Sequence, residues 1–176
     1  FFLKADTRRL YSRKLEKGEM KVVTFSNMMK AAKTAEPEIF LDDAARADAA
    51  AIIGNDPSPI LALAPISTAT DRSWPADRWA ELTQKLMDEP RFEGWRFMPV
   101  GGPGDHAAAA PALAVAGDRG IDAVGKSDIL ASAALLERAT LFVGNDSGLM
   151  HVSAATGTPT LGLLGPSEWW HKAPYG

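Results

Sequence analysis

No cysteine occurs among the 176 residues, so neither a disulfide framework nor a thiolate metal site can form, which suits a reducing compartment. Long apolar runs are also missing. Nothing approaches the roughly 18 consecutive apolar residues of a membrane span, and Phe1-Phe2-Leu3 gives way at once to Lys4 and Asp6, unlike a signal-peptide core. A cytoplasmic protein is the expectation. A large excess of one charge sign is missing too: the net value is −3, which creates no global field toward nucleic acid. The basic residues cluster at one end, with seven Lys or Arg against three acids in residues 1–21. The dinucleotide fingerprint GxGxxG and the hydrolase elbow GxSxG are both absent, which speaks against a nicotinamide-dependent oxidoreductase and against an α/β-hydrolase.

What remains is a globular composition, 46% hydrophobic, in a length that suits one domain. The chain opens on Phe1 rather than Met and closes on the turn-like Ala173-Pro174-Tyr175-Gly176, so a piece of a longer protein is expected. Residues 1–58 show no clear alternation of strand and helix, and Gly54, Pro57 and Pro59 punctuate their end. They read as a lead-in or interdomain segment. From there to residue 176, short apolar runs alternate with helical stretches. "ILALAPI", "WRFMPVGG", "IDAVG", "TLFVG" and "TPTLGLLG" read as strands, and helices are expected from Pro75 to Asp88, in "PGDHAAAAPALAVAG", in "SDILASAALLERA" and in "SGLMHVSAATG". Trp79, Leu82 and Leu86 fall on one face of the first of these helices. The near-continuous apolar strands predict an α/β fold, a Rossmann-like parallel sheet with helices on both faces. Ligands bind such sheets beyond the carboxyl ends of the strands. The candidate loops are therefore Ser67–Trp74, Gly101–Asp105, Gly125–Asp128, Gly144–Gly148 and Gly165–Trp170.

Each loop has a functional and a plainer reading. In Ser67-Thr68-Ala69-Thr70-Asp71-Arg72-Ser73-Trp74-Pro75, hydroxyls and a guanidinium suit phosphate oxygens. The same residues also serve as helix caps and a local ion pair before a Pro at the first helical position. Gly101-Gly102-Pro103-Gly104-Asp105 puts an acid where it can accept from ribose hydroxyls or offset a helix dipole. "GNDSGLMHVSAATGTP" is the most specific stretch. Asp146 is a good N-cap there, Ser147 and Gly148 leave the first N–H groups reachable by an anion, and Gly157 with Pro159 ends the helix. His151 stands four residues after Ser147, so its ring can share the helix start; a His satisfied at the sheet edge is the alternative. "PSEWWHKAPYG" gathers Trp169, Trp170, His171, Lys172 and Tyr175, which suit either a base or sugar pocket or an interface strip.

Taken together, "SWPADRWAEL" after a Ser/Thr loop, "VGGPGD" and "LFVGNDSGLMHVSAATGTPTLGLLGPSEWWHKAPYG" resemble the ADP-heptose:lipopolysaccharide heptosyltransferases, glycosyltransferase family 9, over about residues 60–176. The resemblance implies a GT-B enzyme, of which residues 59–176 are the C-terminal, donor-nucleotide domain, with the N-terminal acceptor domain absent. It implies that Ser67 and Thr68 bond the diphosphate and that Arg72 replaces a basic residue, usually Lys, facing the donor. Asp105 would meet the ribose, and Asp146, Ser147, Gly148 and His151 would surround the diphosphate and sugar. No catalytic base is expected in this chain, since the family carries it in the N-terminal domain; the chain alone is expected to be inactive. The implied partners are ADP-heptose, a lipopolysaccharide core acceptor and the enzyme's own N-terminal domain, with no metal, cofactor or nucleic acid. The basic segment of residues 4–21 would allow peripheral contact with the cytoplasmic face of the inner membrane, or forms a solvated linker helix. A non-hydrolysing nucleotide-sugar epimerase and a non-catalytic nucleotide-sugar binding module remain as alternatives.

Overall fold

In a computed structural model the described residues are 39–67 and 73–164. The basic segment, Thr68, Arg72 and the "PSEWWHKAPYG" stretch lie outside them. Helix α1 (Asp43–Ile53) precedes strand β1 (Ile60–Ala64), helix α2 (Ala76–Asp88) and strand β2 (Arg96–Pro99). Helix α3 (His106–Ala116), helix α4 (Ile129–Arg138), strand β3 (Leu141–Asn145), helix α5 (Gly148–Ala155) and strand β4 (Thr160–Leu163) follow.

The strands form one parallel sheet in the order β2-β1-β3-β4. Side chains alternate between its faces. Ile60, Ala62, Ala64, Met98 and Phe142 join a core with Ala45, Ala49 and Ile53 of α1, Leu135 and Leu136 of α4, and Met150 and Val152 of α5. Leu61, Leu63, Phe97 and Val143 face the other way, onto Trp79 of α2 and Ala112 and Ala116 of α3, with Leu82 and Leu86 packed beside them. The expected face of α2 is therefore the one that is buried. Trp79 is fully enclosed and meets Trp74 edge-on at 5.5 Å between ring centroids; truncating it to Ala should cost about 3–5 kcal/mol.

"IDAVG" differs from expectation. It runs beside β2 without becoming a regular strand: Ile121 N–H donates to Phe97 O (2.8 Å), Ala123 N–H to Pro99 O (3.3 Å) and Gly125 N–H to Gly101 O (2.9 Å), with a single parallel bridge between Phe97 and Gly120. The reason is Pro99. Its nitrogen faces this outer side and has no hydrogen to return, so the ladder cannot run in both directions. Pro75 is the residue before α2 rather than its first helical residue, with an extended ψ of 144°.

Helix α1 lies within the expected lead-in segment, yet its Ala45, Ala49 and Ile53 enter the same core as β1. Asp42 caps it by accepting from Ala45 N–H at 2.8 Å. Arg46 forks onto Glu137 of α4 with two contacts of 3.1 Å, and Arg96 of β2 donates to the Ile53 carbonyl at 2.9 Å. The first pair is half exposed and adds little; the apolar face does most to hold the helix. Its period was hard to see because alanine contrasts weakly with its neighbours.

Candidate functional site

The strand order reverses between β1 and β3, which makes the loops after their carboxyl ends the expected ligand crevice of an open α/β sheet. Ser67 follows β1; Asp146, Ser147, Gly148 and His151 follow β3. Of the residues expected from sequence, the fold thus gathers these five at the switch point. Asp105 stands one strand further out, after β2.

Helix α5 begins one residue later than expected. Asp146 continues the extended path out of β3, is buried, and gives its backbone carbonyl to the Ser67 hydroxyl at 2.7 Å. Ser147 is the N-cap residue by backbone geometry (φ −146°, ψ 168°), and its own side chain makes no capping hydrogen bond. Met150 N–H bonds the Ser147 carbonyl at 3.2 Å, which leaves the Gly148 and Leu149 N–H groups without an intrahelical acceptor. At the far end Gly157 adopts φ 80°, with Gly157 N–H on Ala154 O (3.0 Å) and Thr158 N–H on Ser153 O (3.2 Å). This double closure needs a left-handed residue, as the Gly-x-Pro ending predicts.

Three details give the helix start its chemistry. The Ser147 hydroxyl oxygen is buried and has no hydrogen-bond partner among the described residues, an arrangement that a folded chain rarely keeps without a ligand or other cause. Gly148 is exposed, and a Cβ added there would meet nothing within 4 Å among the described residues. His151 sits half-buried one turn into the helix.

Ser67 is engaged differently from the expected phosphate donor. Its single hydroxyl proton goes to the Asp146 carbonyl, and its backbone N–H donates to Ser73 Oγ at 3.2 Å. Asn145, which the sequence reading passed over, is fully buried at the end of β3. Its amide nitrogen donates to Pro65 O at 2.7 Å, and its oxygen accepts from Trp74 N–H at 3.2 Å. A polar residue directly after Leu141-Phe142-Val143-Gly144 was the available signal; its partners, 80 and 71 positions away, were not.

Asp105 begins α3 without capping it. Its carboxylate instead turns back to accept from Gly102 N–H at 2.7 Å, packed so closely on Gly101 that a Cβ there would fall 2.8 Å from Oδ2. Beside this turn the Gly125 loop approaches Pro103 and His106. Asp122, held by Lys126 at 2.9 Å, lies well within carboxylate character. The Lys126 hydrogen bond first, and then the Val124 N–H, hold its pKa below the usual range.

No helix among the described residues is long and apolar enough to cross a membrane. The sequence matches the model of glycosyltransferase family 9 (heptosyltransferase) over residues 12–176. Lipopolysaccharide heptosyltransferase 2 of Escherichia coli K12 is 33% identical over 101 residues, which cover 55% of this chain and 28% of that protein. Among solved structures, E. coli ADP-heptose lps heptosyltransferase II superposes with a TM-score of 0.65 at 26% identity, over 76% of this chain and 41% of its own. A family 9 glycosyl transferase of Veillonella parvula does so with a TM-score of 0.69 at 27% identity, over 78% and 40%. The chain thus spans well under half the length of these relatives. Its parallel sheet, its Asp-Ser-Gly helix start and a family match that runs through both place it plainly: the chain belongs to glycosyltransferase family 9.

Proposed function

We propose that this chain is the donor-nucleotide part of a heptosyltransferase, and that the complete enzyme transfers heptose from ADP-heptose to a hydroxyl of the lipopolysaccharide inner core. The observation that carries this reading is the Ser147 hydroxyl at the start of α5, buried and without a partner among the described residues, at the switch point of the sheet. A diphosphate offers the acceptors that this hydroxyl and the neighbouring N–H groups lack. Family membership favours transfer over the epimerase and binding-module readings.

As the sugar–phosphate bond breaks, negative charge grows on the departing ADP, and groups already oriented toward it lower the barrier. The helix start contributes about 0.3–1 kcal/mol to an exposed anion and up to about 2 when partly buried. It therefore needs help, which this reading assigns to Thr68, Arg72 and His151. Asp105 would take the ribose. Ser67 supports the site by bracing the Asp146 carbonyl, and Asp146, whose charge would repel a diphosphate, acts through the fold or toward the sugar hydroxyls. The reading uses protein groups and no metal against the leaving-group charge, so transfer by the complete enzyme should be indifferent to a chelator. The general base belongs to an N-terminal domain, and the acceptor would be met at the cytoplasmic face of the inner membrane.

Calorimetry with ADP tests the site. Gly148→Val places its Cβ where no described atom lies within 4 Å but crowds the N–H cradle, so ADP affinity should fall while thermal unfolding of the ligand-free chain stays nearly unchanged. Binding to this variant at the parent affinity would move the diphosphate elsewhere.

A further inference from the structure

We propose that Asn145 is a positioning residue whose buried carboxamide staples the loop leaving β1 to the turn leaving β3, so that the two halves of the anion site form one surface before any ligand arrives. The inference rests on the reading of this crevice as the donor site. Its own evidence is geometric.

The loop after β1 departs at Pro65 and returns at Trp74. Asn145 holds both points at once, donating to the Pro65 carbonyl at 2.7 Å and accepting from the Trp74 amide at 3.2 Å. Between them Ser73 Oγ accepts from Ser67 N–H and donates to the Ser67 carbonyl, both at 3.2 Å, closing the base of the loop on itself. The Ser67 hydroxyl adds a second tie to the same turn through the Asp146 carbonyl. Asn145 is fully buried, and a carboxamide both donates and accepts in a single plane. Val would leave a buried carbonyl and a buried amide unpaired. Asp would set a second acceptor against the Pro65 carbonyl.

A polar residue of this kind is unnecessary for the sheet itself, since Phe142 and Val143 before it already fill both faces. Its neighbours are Asp146 and Ser147, so the staple sits at the root of the helix start. A helix start rooted in this way rearranges little when a ligand binds, which is how preorganisation raises affinity.

The test compares the parent chain with Asn145→Ala, Asn145→Asp and Ser67→Ala, singly and with Asn145→Ala combined with Ser67→Ala. Affinity for ADP is measured well below the unfolding transition, and exchange of the Trp74 amide hydrogen is followed without ligand. The expected result is an ADP affinity reduced about tenfold in Asn145→Ala and loss of Trp74 amide protection in a molecule that is still folded. The combined variant should lose much less than the product of the two single losses, because either change frees the same loop. Asn145→Asp keeps the volume and the acceptor for Trp74, so it serves if the Ala variant does not fold; it should retain Trp74 protection yet bind ADP more weakly. Parent affinity in folded Asn145 variants, or strictly multiplicative losses, would overturn the proposal. Should the parent chain itself bind no ADP, the donor-site reading fails, and unchanged Trp74 protection in Asn145→Ala would sink the staple separately.

Discussion

Asp105 shows how a single residue can satisfy a motif for a reason the motif does not state. Its carboxylate closes the Gly102 turn, and the ribose role assigned to it must operate alongside that bond. Asp105→Asn keeps an oxygen for Gly102 N–H, so the turn should survive while ADP binds more weakly than in the parent and pyrophosphate binds equally. Asp105→Ala removes both, with about 0.5–1.5 kcal/mol of stability lost in denaturant unfolding. Equal losses of ADP and pyrophosphate in Asp105→Asn would leave the turn as its whole role. Asp122 gives a pH signature at the same rim. Its carboxyl titrates lower in the folded chain than in the unfolded one, chiefly through Lys126. Its contribution is therefore present above about pH 4 and fades as pH falls through the folded value. The stability advantage of the parent over Asp122→Asn, small because the pair is largely exposed, should narrow on acidification below that point. The helix start at Ser147 and Gly148 could be read from the sequence to within one residue, because small polar residues follow an apolar run. Asn145 could not be, because its meaning lies in Pro65 and Trp74, residues distant in the chain.

Among the elements, helix α5 was the most legible, since its Gly157-Thr158-Pro159 ending fixes where it stops. Strand β2 explains the main departure, since Pro99 reads as apolar in a pattern but withholds the donor that a neighbouring strand needs. Packing beneath α5 is tight in a way that composition conceals. A Cβ at Gly144 would lie 2.5 Å from the Phe142 ring and 2.9 Å from the Ala64 Cβ, whereas at Gly162 it would lie 2.5 Å from the Met150 sulfur. Rings and β-carbons of central strands have nowhere to go, but a thioether can swing aside. Gly144→Ala should accordingly cost about 1–3 kcal/mol and Gly162→Ala distinctly less, a ranking that urea midpoints would check. Hydroxyls at the end of α5 and just beyond it tie the helix to its surroundings: Thr158 donates to Leu136 O at 2.6 Å, and Ser153 and Thr160 share a contact of 2.8 Å. Leu136 O also accepts from Ala139 N–H, so Thr158→Val would not orphan it and should cost only about 1 kcal/mol.

At the scale of the whole molecule, the parallel α/β architecture followed from alternating apolar and helical segments, and the switch point from the sheet order. The inclusion of α1 in the core did not follow, because an alanine face carries little hydrophobic contrast. Under the proposed function, the motifs in hand are all on the donor side. The chain should then bind ADP measurably while transferring no heptose to any acceptor, and robust transfer by the chain alone would refute the division of labour.

The residues on the α5 side of the sheet diminish toward its carboxyl edge. On β1 they run Ile60, Ala62, Ala64; on β3, Phe142 then Gly144; on β4, Thr160 then Gly162. Helix α5 travels against the strands, so its last turn rests on the thick end of this wedge and its first turn on the thin end. The core thus tapers toward the end of the sheet at which α5 begins, because the side chains on this face shrink there to Ala64, Gly144 and Gly162, and backbone can come closest to the sheet at that rim.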